Sequence, residues 1–343
     1  KSFYSSDFLL EKVNIAFEKN DIKDLTKITN IFLPKIINKK LNKIFAKGNL
    51  EGEFVIPFKP DGTVSKKYTF YGKIIEADIN ITKDYRLKNL TAEVAYGESS
   101  HTNIDGLRII VNKGTFLNLK LLKSLIDIKF KGNKKFIRSS IHTKGNINFS
   151  EIKKITSLLG SKINYFEDIN LTSDLTTNIE FDIDNKFRVG NTSYVVQGDI
   201  NSLQIKIKEK KVINEFIPSF NPEITFKNSK INFKALKGIS GDHALKLEGE
   251  AKFGDEFEKV QITQNYEKKN KKYSITGSST LDGSSVNISK LNYKKEKDKN
   301  AYLTFNTNFI LDEYFLIDYL SYTDEQSEII LNKIKLNKNL EII

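Results

Sequence analysis

His101, His142 and His243 are the side chains of this chain best suited to metal ligation or to proton transfer at neutral pH. They stand far apart in the sequence, with no His-x-His or His-x-x-x-His pairing, so the spacing of a metal centre is missing. Asp182 and Asp184 alternate with Phe181 and Ile183 and share a strand face, as a glycosidase pair would. Solvated carboxylates on a strand show the same pattern. Cysteine is absent, which excludes disulfides, thiolate ligands and cysteine nucleophiles. No Gly-x-Gly-x-x-Gly, phosphate-binding loop or Gly-x-Ser-x-Gly elbow occurs. Gly238 and Gly241 read as a turn. Ser278, Ser279, Ser284 and Ser285 read as hairpin residues around Leu281-Asp282-Gly283. No catalytic, cofactor-binding or metal-binding residue is assigned on these grounds, no cofactor is expected, and the chain is read as a non-enzyme.

Charge narrows the partners. Lys and Arg number 55 against 43 Asp and Glu, a formal net charge of +12 carried almost wholly by lysine. Such a balance fits a soluble surface, nucleic acid or an anionic membrane face. The basic runs 129–135, 206–211 and 267–272 fall at turns between strands, where solvated loop lysines are expected. Interleaved stacking aromatics are missing, so no nucleic acid partner is expected. No stretch of eighteen apolar residues encodes a transmembrane helix, and no signal peptide is visible. Methionine is absent even at position 1, which reads as an excised piece or a processed product.

The elements that must position these residues are mostly strands. Residues 1–47 read as a mostly helical lead-in. Ile36, Ile37, Leu41, Ile44 and Phe45 recur at helical spacing, Pro34 suits a first turn and Gly48 a stop, which predicts a helix over 34–46. After Gly48 the period becomes two, through a first β section at 48–149 and a second at 150–320. Ser150 can cap a short helix over 150–160 that Gly160 ends. The tail 321–343 is a candidate helix, together with 311–320. Strand after strand is apolar on one face and polar on the other, so the apolar face needs cover. A sandwich, a closed barrel and an open trough all supply it. Long sequential strands favour the trough. The fold class expected is therefore mainly β: a long antiparallel meander curled into an elongated open groove, with a few short helices.

Specific strings carry a resemblance. Leu33-Pro34 leads through Ile36-Ile37-Asn38-Lys39-Lys40-Leu41 to Ala46-Lys47-Gly48-Asn49-Leu50-Glu51-Gly52. Ile275-Thr276-Gly277-Ser278-Ser279-Thr280-Leu281-Asp282-Gly283 is followed by Leu291-Asn292-Tyr293-Lys294 and Ala301-Tyr302-Leu303-Thr304-Phe305. Lys144-Gly145-Asn146-Ile147-Asn148 and Gln197-Gly198-Asp199-Ile200 lie between them. In this order the strings resemble the AsmA-like envelope proteins of the YhdP type, over roughly residues 30–320. That family's usual tryptophan before the glycine has no counterpart, and Ile44-Phe45 occupies the region. The resemblance implies a bacterial envelope protein in the periplasm, held to the inner membrane by an anchor not present here and joined to neighbouring segments of a longer chain. It also implies the bridge-like lipid-transfer class, with phospholipid acyl chains as partners in transport between inner and outer membranes.

Under that reading an acyl chain slides along an apolar floor, each methylene kept from water being worth about 0.8 kcal/mol. The floor expected is one phase of the strands: Phe54, Phe70, Ile79, Val94, Ile109, Phe130, Ile147, Phe181, Val195, Ile205, Phe226, Phe233, Leu247, Ile275, Ile288 and Phe305. A one-residue slip moves any of them to the other face. The alternative is a structural or protein-interaction β module of the envelope, its apolar faces consumed by ordinary packing. An outer-membrane barrel is a third reading, disfavoured by the lysine load and the helix at 34–46.

Overall fold

The computed structural model describes residues 10–24, 44–65, 67–81, 84–97, 106–158, 166–186, 188–207, 217–236, 241–310, 313–337 and 343. Among them the chain is mainly β, antiparallel and nearly helix-free, as the period-two patterning predicts. It divides into two compact units, 1–143 with 178–190 and 144–177 with 191–343. These boundaries fall inside strands, where the sequence placed them at 47, 149 and 320.

The first unit is an open meander. Strands β1 (Lys12–Asp21), β2 (Phe45–Pro57), β3 (Thr69–Asn80), β4 (Arg86–Tyr96) and β5 (Gly106–Phe116) pair in sequence. Short β6 (Leu119–Leu121) and β7 (Ser124–Lys131) both pair with β5, and β7 turns at Lys131–Lys134 into β8 (Lys134–Asn148). Within the lead-in expected to be mostly helical, residues 12–21 are a strand, 22–24 are helical, and Phe45, expected inside a helix, opens β2; residues 1–9 and 25–43, the rest of the predicted helix among them, lie outside the described residues. Gly48 does not stop an element. It sits inside β2 with φ +134°, where an added Cβ would lie 2.6 Å from the Ala77 backbone.

The second unit begins with the short helix α1 (Phe149–Leu158), close to its predicted place. Its cap is Asn148 rather than Ser150. The Asn148 side chain accepts the Glu151 N–H at 3.0 Å, and the Glu151 carboxylate accepts the Asn148 N–H at 3.0 Å, a reciprocal capping box. Strands β9 (Phe166–Asp184) and β10 (Val189–Ile207) pair with each other, and β10 continues through β11 (Glu223–Leu236), β12 (His243–Lys252), β13 (Phe257–Glu267) and β14 (Lys272–Thr280). A two-stranded hairpin, β15 (Val286–Ile288) and β16 (Tyr293–Lys295), interrupts the meander. It then resumes with β17 (Ala301–Ile310), β18 (Tyr314–Asp324) and β19 (Glu328–Asn337). The tail read as helical is thus two strands. Its apolar residues Ile317, Leu320, Ile329, Leu331 and Ile334 mimic helical spacing because the strands are irregular: the β17–β18 register shifts at Asn306/Thr307, and Lys333 takes φ +54°.

Irregularities of this kind decide which residues share a face. In β3 and β4 the left-handed residues Glu76 and Asn89 (φ +51° each) accompany register shifts. The apolar phase of β3 passes from Phe70, Gly72 and Ile74 to Ala77 and Ile79 across the shift, and that of β4 from Val94, Ala92 and Leu90 to Leu87. The buried Asp78 carboxylate pins the second site by accepting the Asn89 N–H at 3.0 Å. In β11 Asn228 (φ +48°) does the same between Phe226 and Ile231. These are bulges, each adding one residue and turning the following side chains over.

Close strand approach is the second constraint. Gly198 takes φ +146°, and a Cβ there would stand 2.2 Å from the Asp174 carbonyl oxygen on the neighbouring strand. Because the obstacle is main chain, Gly198→Ala is expected to cost about 2–4 kcal/mol. Urea unfolding of the variant beside the parent chain measures it, and a loss under about 0.5 kcal/mol would contradict the close approach.

Candidate functional site

The registers sort the strand residues to one of two faces, because directly opposed residues in an antiparallel pair point the same way. In the first unit one row runs Ile15, Phe54, Phe70, Tyr96, Leu107, Ile128, Ile137. The next contains Gly52, Gly72, Val94, Ile109 and Ile126, and the next Leu50, Ile74, Ala92 and Val111. Rings of Phe54, Tyr68, Phe70, Tyr96 and Phe130 contact one another along this face at 5.2–6.4 Å between centroids. Six of the expected floor residues, Phe54, Phe70, Ile79, Val94, Ile109 and Phe130, therefore lie together. The bulge at Glu76 is what brings Ile79 round to join Phe70.

That face is packed unevenly. Around the bulge it is a core: Ile22, Ala77, Leu90, Ala92 and Val111 are buried, with Ile74, Ile79, Leu87 and Ile109 against them. Toward the other strand ends it opens, with Tyr68 39 % and Phe130 37 % exposed. The opposite face is ionic. Arg108 makes a bidentate pair with Asp127 (2.7 and 2.9 Å), and the Tyr71 hydroxyl donates to Glu93 at 3.5 Å. Glu180 and Asp182 pair there with Arg138 (2.7 Å) and Lys134 (3.0 Å). Strand alternation turns Phe181 to the side away from them. Asp182 and Asp184, the candidate glycosidase pair, are separately engaged, Asp184 by Arg188 at 2.6 Å.

In the second unit Phe233, Leu247, Ile275 and Phe305 share the apolar face, and Phe226 and Ile205 reach it through the bulge. Val195 does not. It opposes Lys234 on the polar face, and its neighbour Val196 is the residue opposite Phe233. The reason is that the apolar phase of β10 changes between Ile200 and Leu203, so a phase read from Ile205 fails at Val195. Ile147 is buried. Ile288 is not on a strand of the meander at all. It sits in the β15–β16 hairpin, which packs Leu281, Val286, Ile288 and Tyr293 onto Ala301, Leu303, Tyr322 and Ile329 and so fills one end of the face with the chain's own side chains.

The concavities lie on the other side. One of about 640 Å³ is lined by Gln197, Asp199, Lys230, Asn232, Lys246 and Glu248 among others, and one of about 550 Å³ in the first unit by Glu18, Glu51, Tyr71 and Lys73 among others. Polar side chains dominate both. Among the described residues no group of three or more His, Asp and Glu could hold a metal. His142 lies in β8, His243 joins a row of rings, and His101 lies outside the described residues.

The most elaborate polar cluster was invisible in the sequence. Glu258 is 2 % exposed, and its carboxylate accepts from Thr280 Oγ1 (2.7 Å), Ser284 Oγ (3.1 Å) and the N–H groups of Asp282 (3.1 Å) and Gly283 (2.9 Å). Lys295, 3 % exposed, donates to the carbonyls of Leu281 and Ser284 at 2.7 Å. Burial pushes the Lys295 ammonium down, against the pull of Glu258. The Leu281-Asp282-Gly283 string signals this turn, but nothing marks the carboxylate more than twenty residues upstream. Beside it Tyr293 donates to Asp324 and pairs with the Tyr322 hydroxyl at 2.7 Å. Burial raises both phenols. Burial also works to raise Asp324, but hydrogen bonds from Tyr293 and from the Gln326 and Ser327 N–H groups outweigh it and hold the carboxyl below its usual range.

No protein family, curated protein or solved structure matches the chain.

Loss of the buried carboxylate is the sharpest probe of this cluster. Glu258→Ala strands four donors and is expected to destabilise by about 3–5 kcal/mol, read by thermal unfolding. A change below about 1 kcal/mol would mean the network is not formed. Asp324 contributes stability above the ordinary carboxylate value and loses it as pH falls through its lower folded value. Stability of the parent chain should therefore drop below about pH 4, and the Asp324→Asn variant should show a shallower drop from a lower starting point.

Proposed function

We propose that the chain is a structural and interaction module: an antiparallel scaffold that seats an extended apolar partner on one-sided sheet faces. The observation that carries this is the open part of the first unit's apolar face, where Ile15, Tyr68 and Phe130 are exposed beside half-buried Phe54, Phe70, Val94 and Tyr96. A solvated sheet face normally carries polar side chains, and a contiguous apolar one marks a contact surface. The ionic opposite face supplies solubility and in-plane cross-strand pairing.

A second reading keeps the same face and changes the occupant to phospholipid acyl chains, in an envelope protein of the AsmA-like kind. The run of rings from Phe54 through Tyr68 and Tyr96 to Phe130 favours it, since it offers length without a charged interruption. The filled end of the second unit's apolar face and the polar lining of the concavities favour the first reading.

One experiment separates them. A photoreactive benzophenone side chain replaces Val94 on the apolar face or Glu93 on the ionic face of the same strand, and the full chain is irradiated in cells. The module reading expects polypeptide adducts at 94 and none at 93. Lipid-mass adducts at 94 would establish the second reading instead. Equal labelling at both positions, or none, would overturn both.

A further inference from the structure

The two ends of the second unit's apolar face differ. One end lies under the β15–β16 hairpin. At the other, rings stand in a single row across the strands: Phe233, His243, Tyr266, Tyr273, Phe309 and Phe315, with successive centroids 5.7, 4.8, 4.6, 4.9 and 6.0 Å apart. All six are half-buried, and none belongs to a buried apolar cluster among the described residues. Their strands end within a few residues of the rings, so the row is the rim of the sheet.

The rim is also basic. Tyr266 and Tyr273 are directly opposed, and the β13–β14 hairpin projects past them through Lys268, Lys269, Asn270 and Lys271. The tip lysines are exposed and make no ion pair among the described residues. Of the carboxylates at this rim, Glu267 accepts from the Asn270 amide at 2.9 Å, Asp242 accepts the Lys268 backbone N–H at 2.8 Å, and Glu313 is exposed in the turn between β17 and β18. Lys335 stands over the Tyr314 ring at 5.1 Å.

We infer that this rim is a contact for an anionic bilayer surface, with the rings at headgroup level and the tip lysines on the phosphates. Tyrosine has an apolar body and a polar tip, and its preferred place is the boundary between hydrocarbon and water. Unpaired lysines at the same edge add attraction to anionic lipid, and no internal partner must be broken to recruit them. Nucleic acid would use the lysines, but each ring of the row already contacts its neighbour, three of the five pairs stacked, and DNA displacement is one outcome of the test below. The rim contact is independent of whatever occupies the first unit's apolar face.

The test is pelleting of the full chain with phosphatidylcholine vesicles, with or without phosphatidylglycerol. The parent chain should pellet with the anionic vesicles only. Reversing the tip charges together, Lys268→Glu, Lys269→Glu and Lys271→Glu, should weaken that binding on the order of 100-fold. Reversing Lys129→Glu and Lys131→Glu, exposed lysines of the first unit, should leave it within about fivefold of the parent, since only the overall charge changes. Both sets are exposed turn or strand-end positions, so unfolding does not confound them, and circular dichroism verifies it. Equal loss in both variants, absence of vesicle binding, or displacement by double-stranded DNA at matched phosphate concentration would each overturn the inference.

Discussion

Everything in this fold depends on keeping apolar side chains on one side of very long strands. A strand alternates at every residue, so a run of ten or more holds its phase only if sequence and twist agree throughout. Here they do not agree throughout. Residues with positive φ, among them Glu76, Asn89 and Asn228, insert extra positions where the apolar phase changes parity. The insertions are matched across neighbouring strands, so that Ile74, Ala92 and Val111 on one side of the shift and Ala77, Ile79 and Leu90 on the other form one surface. Without them the far part of each strand would present its charged residues to the apolar side.

The same constraint explains where the polar order lies. Ion pairs such as Arg108 with Asp127 and Arg138 with Glu180 sit on the face that alternation leaves to water. Their worth individually is modest, but they tie neighbouring strands in plane without disturbing the apolar side. At the β15–β16 hairpin charge goes inside. There the chain folds over its own apolar face, and Glu258 and Lys295 fix the turn by satisfying backbone groups that would otherwise be buried unpaired.

Much of this was legible in the sequence, and the failures have a common cause. Phe54, Phe70, Val94 and Ile109 fall together because regular alternation carries the register from turn to turn. Ile79 joins them because a bulge at Glu76 offsets its odd number. Val195 falls on the other face because β10 changes phase between it and Ile205. The tail looked helical because Ile317 with Leu320, and Leu331 with Ile334, reproduce a three-residue step across a strand irregularity. Glu258 escaped because its partners are distant in sequence and its own neighbours, Phe257 and Val260, look like any strand. The rings of the rim escaped for a different reason. Each is an ordinary strand-end aromatic, and only the register places them in line.

The most direct test of the one-sided surface uses the absence of cysteine, which lets single cysteines be placed at will. Nitroxide labels at successive positions from Phe70 to Asn80 report the environment of each side chain. Restricted motion is predicted at 70, 72 and 74 and then, after a one-residue slip at Glu76, at 77 and 79. Restricted motion at 76 with free motion at 77 and 79, the continuation of an unbroken alternation, would contradict it.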